Sequence, residues 1–147
     1  MNSRFPAAAL IVVTLLHAPV PPLSAAEEST PIERGKAGLV EVPFVAQNQG
    51  PGGIACSVAL AHWYSLELGQ AEPGGRVQAS LWFDPKDGTM ALLNGTEDRM
   101  PVQALWCGIA GRSWGTRSLI GLERKAGQAP APVRVSCRAE PDKLTCR

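Results

Sequence analysis

The sequence predicts a mainly β protein, a small antiparallel β-sandwich or barrel-like domain with at most one short helix and with disulfide staples. Three observations support this prediction. Short segments alternate apolar and polar residues, Gly- and Pro-rich turns separate them, and four cysteines follow a leader typical of export. The 147 residues suffice for one domain. Hydrophobic residues make up 45% of the chain, which is too many for a disordered protein.

Residues 1–26 are interpreted as a secretory signal peptide. Arg4 supplies the positive start, residues 7–16 supply an apolar core, and residues 24–26 (Ser-Ala-Ala) supply the small residues that a signal peptidase inspects. The core is shorter than the roughly 20 apolar residues that span a bilayer, so no transmembrane segment is expected in the mature chain. The Ala, Gly, Pro and Arg usage is typical of a bacterium with a GC-rich genome. The expected location is therefore the periplasm or the extracellular medium.

The mature chain is expected to have two parts. Residues 27–53 form an N-terminal arm with an edge strand and a Gly/Pro linker, because Pro43 lacks the N–H that an interior strand needs. Residues 54–147 form a β-rich domain that ends in a hairpin between two cysteines. Of the 14 basic residues only Arg4 precedes residue 27, and all 13 acidic residues lie at or after residue 27. The mature charge is therefore balanced, and a nucleic-acid partner is not expected.

The β-rich part contains one strong strand signal and several weaker ones. Residues 77–83 alternate most regularly, and the turn at 84–88 predicts a hairpin with a strand at 89–93. Three more segments are candidates: 54–68 (a strand preferred over a helix), 100–109 (a short helix or a strand) and 117–123 (a strand).

The four cysteines are expected to form two disulfides, as is usual in an oxidising compartment. Three pairings are possible, and the local sequence favours one of them. Counting outward from a two-residue turn at Pro141-Asp142 places Cys137 opposite Cys146, as a non-hydrogen-bonded pair close enough to bridge. Cys56 and Cys107 are left for the second bridge.

Gly111-Arg112-Ser113-Trp114-Gly115 matches the G-x-S-x-G pattern of a hydrolase nucleophile elbow. The α/β-hydrolase order requires a His after the Ser, and no His follows Ser113. An order that begins at His62 would require a two-barrel domain larger than this chain. We interpret the segment as a turn and expect neither a catalytic residue nor enzyme activity. A small hydrolase that uses Ser113, alone or with His62, is the alternative.

No metal or cofactor is expected. One His in the mature chain cannot form a His₂ or His₃ ligand set, and no two cysteines have the C-x₂₋₄-C spacing of a zinc site. Neither a Walker lysine loop nor a G-x-G-x-x-G motif occurs.

The candidate binding residues are aromatic: Trp82, Trp63 and Tyr64. Trp82 lies on the polar phase of its strand, where a ring can stack on a sugar or anchor a protein. Trp106 is instead expected to pack against the disulfide of Cys107. These residues favour an exported, non-enzymatic binding or accessory module for a protein or a cell-envelope polymer. The size, leader and disulfide-stapled β-fold are similar to those of small exported bacterial inhibitors of lysozyme, which implies inhibition of a secreted hydrolase as a further alternative.

We predict that the mature protein starts at Glu27, because cleavage after Ala26 follows the small residues of the leader. The intact mass of the exported protein checks this. A soluble exported form that retains Met1 would contradict it.

Overall fold

The computed structural model describes residues 33–61 and 64–147. Within these ranges the chain forms nine strands and no α-helix, and no helical segment there is long and apolar enough to cross a membrane. The predicted signal peptide and the beginning of the predicted arm lie outside the described residues. The strands are β1 (Val40–Asn48), β2 (Ile54–Leu60), β3 (Ser65–Ala71), β4 (Arg76–Phe83), β5 (Met90–Leu93), β6 (Arg99–Ile109), β7 (Ser118–Ile120), β8 (Val133–Ala139) and β9 (Leu144–Cys146).

All nine strands belong to one mixed sheet, in the order β3-β2-β6-β5-β4-β1-β8-β9, with β7 paired to β6. The pairs of named strands are antiparallel except β1 with β8, which run parallel. The longest strand, β6, pairs with β5 at its start and with both β2 and β7 at Leu105–Cys107. The predicted mainly β, disulfide-stapled fold is confirmed.

β4 contributes to the core at alternate positions, whereas β2 is buried at five consecutive residues, Ile54–Val58. In β4, Val77, Leu81 and Phe83 are buried, while Gln78 and Ser80 are exposed. The predicted hairpin after β4 is confirmed by the pairing of β4 with β5. Among the largest fully buried side chains are Phe44, Phe83, Ile54, Leu81, Met90 and Leu105.

Both predicted disulfides are confirmed. Cys137 and Cys146 are paired across β8 and β9, with their Cα atoms 4.1 Å apart. The turn has the expected two-residue form, since the backbone N–H of Glu140 donates to the carbonyl of Lys143. Cys56 and Cys107 bridge directly opposed positions of β2 and β6.

The segment 54–68 forms two strands rather than the single strand that its alternation indicates. β2 ends at Leu60, and β3 returns antiparallel to it from Ser65. The backbone N–H of Leu60 donates to the carbonyl of Tyr64 at 2.7 Å, which closes the reversal. Alternation continues on both sides of this short turn, so the pattern alone does not reveal it. The candidate at 100–109 is a strand, β6, and not a helix.

The strand predicted at the edge lies inside the sheet over half of its length. β1 pairs with β4 from Val40 to Gln47, and with β8 from Phe44 to Asn48. Pro43 stands one residue before the pairing with β8 begins, where the missing N–H breaks no ladder. The inference from Pro43 therefore holds for that position and is wrong for the strand as a whole.

Asn48 ends β1 and connects three parts of the chain from a fully buried position. Its Nδ2 donates to the carbonyls of Gly52 at 2.9 Å and Ala71 at 3.0 Å. Its Oδ1 accepts the N–H of Gly50 at 3.0 Å. One amide therefore satisfies backbone groups of the linker after β1 and of the end of β3.

We predict that Asn48→Ala destabilises the fold by about 3 kcal/mol, because it leaves buried backbone groups without partners. The control is Gln47→Ala. The Gln47 side chain also donates to two carbonyls, those of Gly74 and Gly75, but from a half-buried position. Its loss should cost less than about 1 kcal/mol. Urea unfolding measures both free energies, and equal losses would contradict the prediction.

Candidate functional site

A groove of about 400 Å³ lies on the outer face of the sheet. One wall is the loop 111–115, which connects β6 to β7, and the other is formed by Glu67 and Gln70 on β3. Ala55 of β2 lines the groove between them, since it pairs with Gln70 on one side and with Gly108 of β6 on the other. The groove therefore has a small apolar floor between a loop and a polar edge.

The loop is held by a close approach of two backbones. A Cβ on Gly108 would lie 2.1 Å from the carbonyl oxygen of Ser113, so only glycine lets the loop fold back onto β6. The buried hydroxyl of Thr116 closes the turn. It accepts the N–H of Ile109 at 2.8 Å and donates to the carbonyl of Arg112 at 3.0 Å.

Trp114 is the aromatic residue of the groove, and 62% of its surface is exposed. The guanidinium carbon of Arg117 lies 3.8 Å from the centre of its ring, and Arg117 also donates to the Trp114 carbonyl. Trp106 packs against it edge to face, with ring centres 5.3 Å apart and an interplanar angle of 77°. The ring of Trp114 is therefore oriented before any ligand arrives, which lowers the entropic cost of binding.

Trp106 does not pack against the disulfide of Cys107, contrary to the sequence-based expectation. Successive residues of a strand point to opposite faces, so Cys107 is in the core and Trp106 lies on the outer side under Trp114. Trp106 is 4% exposed, and its Nε1 has no hydrogen-bond partner among the described residues.

The polar wall consists of two side chains that are hydrogen-bonded to each other. Gln70 Nε2 donates to Glu67 Oε1 at 3.0 Å, and both residues are exposed. A carboxylate and an amide thus face the Trp114 loop across the groove. Such groups bind the hydroxyls and amides of a ligand whose apolar side rests on an aromatic ring.

Ser113 lies in a turn, as interpreted from the sequence, and it lines the groove. The titratable side chains of the groove lining are Glu67 and Arg112. Arg112 donates to the carbonyl of Pro141 and thereby connects the loop to the C-terminal hairpin. His62, the candidate base of the hydrolase alternative, lies outside the described residues.

The sequence-predicted binding residues belong to other parts of the sheet. Trp82 lies on the outer face of β4, half-buried, with Lys36 Nζ 4.8 Å from its ring centre. Tyr64 is 72% exposed and directly precedes β3. Trp63 lies outside the described residues. Trp82 is flanked by β1 and β5, whereas β3 pairs with β2, so the structure does not bring Trp82 to the Trp114 groove.

Lys36 belongs to the segment 33–39, here called the N-terminal strap. Arg99 of β6 fastens this strap through its guanidinium, which donates to the carbonyls of Gly35 at 2.9 Å and Ala37 at 2.7 Å and to the carboxylate of Glu33 at 2.7 Å. The Arg99 side chain is only 13% exposed, so these bonds are partly shielded from water. The strap thus holds Lys36 beside Trp82.

A second fastening of the strap joins Arg34 to Asp98. The carboxylate of Asp98 accepts hydrogen bonds from the side chains of Asn94, Arg34 and Thr96. These donors stabilise the ionised form and lower the pKa of Asp98 from 3.8 to about 2. Asn94 caps the same turn, as its Oδ1 accepts the backbone N–H groups of Thr96 and Asp98. Asn94-Gly95-Thr96 is thus the tight turn that the sequence indicates.

One group of residues in the described part has the proximity of a metal site. The sulfur atoms of Cys107, Cys137 and Cys146 all lie within 4.8 Å of one another. All three are oxidised in disulfides, so they do not supply the thiolates that bind metal ions.

Comparison of the chain with models of protein families, with curated proteins and with solved structures finds no match.

We predict that the Asp98 network stabilises the fold above about pH 4 and that this contribution is lost as the pH falls towards 2. The sign follows from the lowered pKa, because the unfolded carboxyl takes up its proton at a higher pH than the folded one. Thermal unfolding between pH 5 and pH 2 measures the effect. The difference in Tm between wild type and Asp98→Asn should narrow steadily over this range. Arg34→Ala, which removes one donor, should give an intermediate slope, and parallel curves would contradict the prediction.

Proposed function

We propose that the chain is an exported, non-enzymatic binding protein that holds a polysaccharide of the cell envelope in the Trp114 groove. The observation that carries the proposal is the exposed Trp114 ring, fixed by Arg117 and Trp106 and set opposite the Glu67–Gln70 pair. An aromatic ring with facing hydrogen-bonding groups matches a sugar, which has one apolar face and a rim of hydroxyls.

The groove favours binding over hydrolysis. Enzymes that cleave glycosidic bonds generally use two carboxyl groups on opposite sides of the bond, and the groove lining supplies one, Glu67. That carboxylate is also hydrogen-bonded to Gln70, which suits a fixed contact with a ligand. Export is supported by the leader-like residues 1–26 and by the two disulfides, which are typical of an oxidising compartment.

We predict that Trp114→Ala weakens co-sedimentation of the protein with purified peptidoglycan about 30-fold. This corresponds to the loss of about 2 kcal/mol for a central aromatic contact. Because Trp114 is exposed, Tm should change by only a few degrees. The matched control is Trp82→Ala, which removes a half-buried Trp from another part of the sheet and should leave binding unchanged.

Three results, from co-sedimentation, crosslinking or active-site labelling, would each contradict part of the proposal. Binding lost in Trp82→Ala and kept in Trp114→Ala would move the site to Trp82. Failure of the wild type to sediment, with crosslinking to a protein in the periplasmic fraction, would replace the polysaccharide with a protein partner. Labelling of the wild type by a fluorophosphonate, lost in Ser113→Ala, would favour the hydrolase alternative.

A further inference from the structure

The two disulfides are packed against each other in the core. The Cys107 sulfur, from one bridge, lies within 4.8 Å of both sulfurs of the Cys137–Cys146 bridge. Cys107 is on β6, whereas Cys137 and Cys146 are on β8 and β9, so this contact joins strands that do not pair. Each bridge taken alone is a local cross-link between opposed residues. Together they place a third sulfur beside a disulfide.

The four cysteines differ in their access to solvent. Cys56, Cys107 and Cys137 have no exposed surface, and Cys146 is half-buried. Cys146 lines a slot of about 410 Å³ between residues 119–123 and the segment 130–135. Cys146 is therefore the one of the four cysteines that borders solvent, at this slot, while the other three are fully buried.

We propose that the two bridges form a thiol–disulfide exchange pair with Cys146 as the point of entry for a dithiol reductant. A thiolate of the reductant attacks the Cys146 sulfur and forms a mixed disulfide, and Cys137 leaves as a thiolate. The Cys137 thiolate then attacks the Cys107 sulfur. A Cys107–Cys137 disulfide forms, and Cys56 leaves as a thiolate that takes up a proton.

The second thiol of the reductant completes the reaction. It attacks its own sulfur in the mixed disulfide, so the reductant leaves as a cyclic disulfide and Cys146 is released as a thiol. Two electrons pass from the reductant to the protein. The product has one bridge, Cys107–Cys137, and two thiols, Cys56 and Cys146. The thiol on β2 is thus released by a reaction that begins at β9.

Proximity favours the internal step over further reduction from outside. Once released, the Cys137 thiolate remains beside Cys107, at an effective concentration far above that of any thiol in solution. The external reductant could also attack the Cys56–Cys107 bridge, but both of these cysteines are fully buried. Exchange within the cluster is therefore the accessible route to Cys56.

Partial reduction of the wild-type protein tests this route. The folded protein is treated with one equivalent of dithiothreitol, quenched with acid, alkylated and mapped by peptide mass spectrometry. The expected product carries alkylated Cys56 and Cys146 in equal amounts, together with a peptide linked through Cys107 and Cys137. Alkylation of Cys137 and Cys146 with an intact Cys56–Cys107 bridge would overturn the proposal. A Cys107–Cys146 bridge would overturn the entry point.

A variant tests the internal step without any reductant. Cys146→Ser leaves Cys137 as a thiol beside Cys107, so the folded fraction should contain the Cys107–Cys137 bridge and a free Cys56. The matched control is Cys137→Ser with Cys146 alkylated, which leaves no attacking thiol and should keep Cys56–Cys107. If folded Cys146→Ser contains the Cys56–Cys107 bridge and no Cys107–Cys137 bridge, the exchange step is contradicted. If this variant does not fold, the peptide mapping of the wild type decides.

Discussion

The Cys56–Cys107 bridge, between opposed residues of β2 and β6, fixes a register on which both faces of the sheet depend. With Cys107 in the core, the neighbouring positions of β6 must point outward, which places Trp106 and Gly108 on the outer face. Gly108 then admits the loop that carries Trp114, and Trp106 supports its ring. A shift of one residue in this pairing would put the sulfur outside and Trp106 in the core, and the groove would not form.

Because of the same alternation, the floor of the groove and the Cys56–Cys107 bridge lie on opposite faces of β2 and β6. The groove uses an outward position, Ala55, whereas Cys56 and Cys107 occupy inward ones. Backbone hydrogen bonds continue on both sides of the Cys56–Cys107 pair, from Ile54 to Leu60. The pairing of β2 with β6, which determines the outer face, is therefore fixed in two ways. One is the Cys56–Cys107 disulfide, and the other is the backbone hydrogen bonds along the two strands.

The sequence was sufficient where the deciding contacts are local. Counting from the turn at Pro141-Asp142 placed Cys137 opposite Cys146, and alternation alone identified β4. It was insufficient where contacts join distant residues. The hydrogen bonds from Arg99 to the strap join residues more than 60 positions apart, so no local pattern indicates that Lys36 lies beside Trp82. The exposure of Trp114 depends on the missing Cβ of Gly108, and a Trp between two turn glycines was the available signal for it.

The tryptophans are distributed unevenly between the two sides of the sheet. The placed tryptophans Trp82, Trp106 and Trp114 all lie on the outer side of the sheet, while the core uses aliphatic residues, two buried Phe and the disulfides. A domain of this size buries a limited apolar area, and cross-links offset this by restricting the unfolded chain. Trp114 keeps most of its surface in solvent, so in the proposed function its burial by a ligand would contribute to affinity rather than to folding.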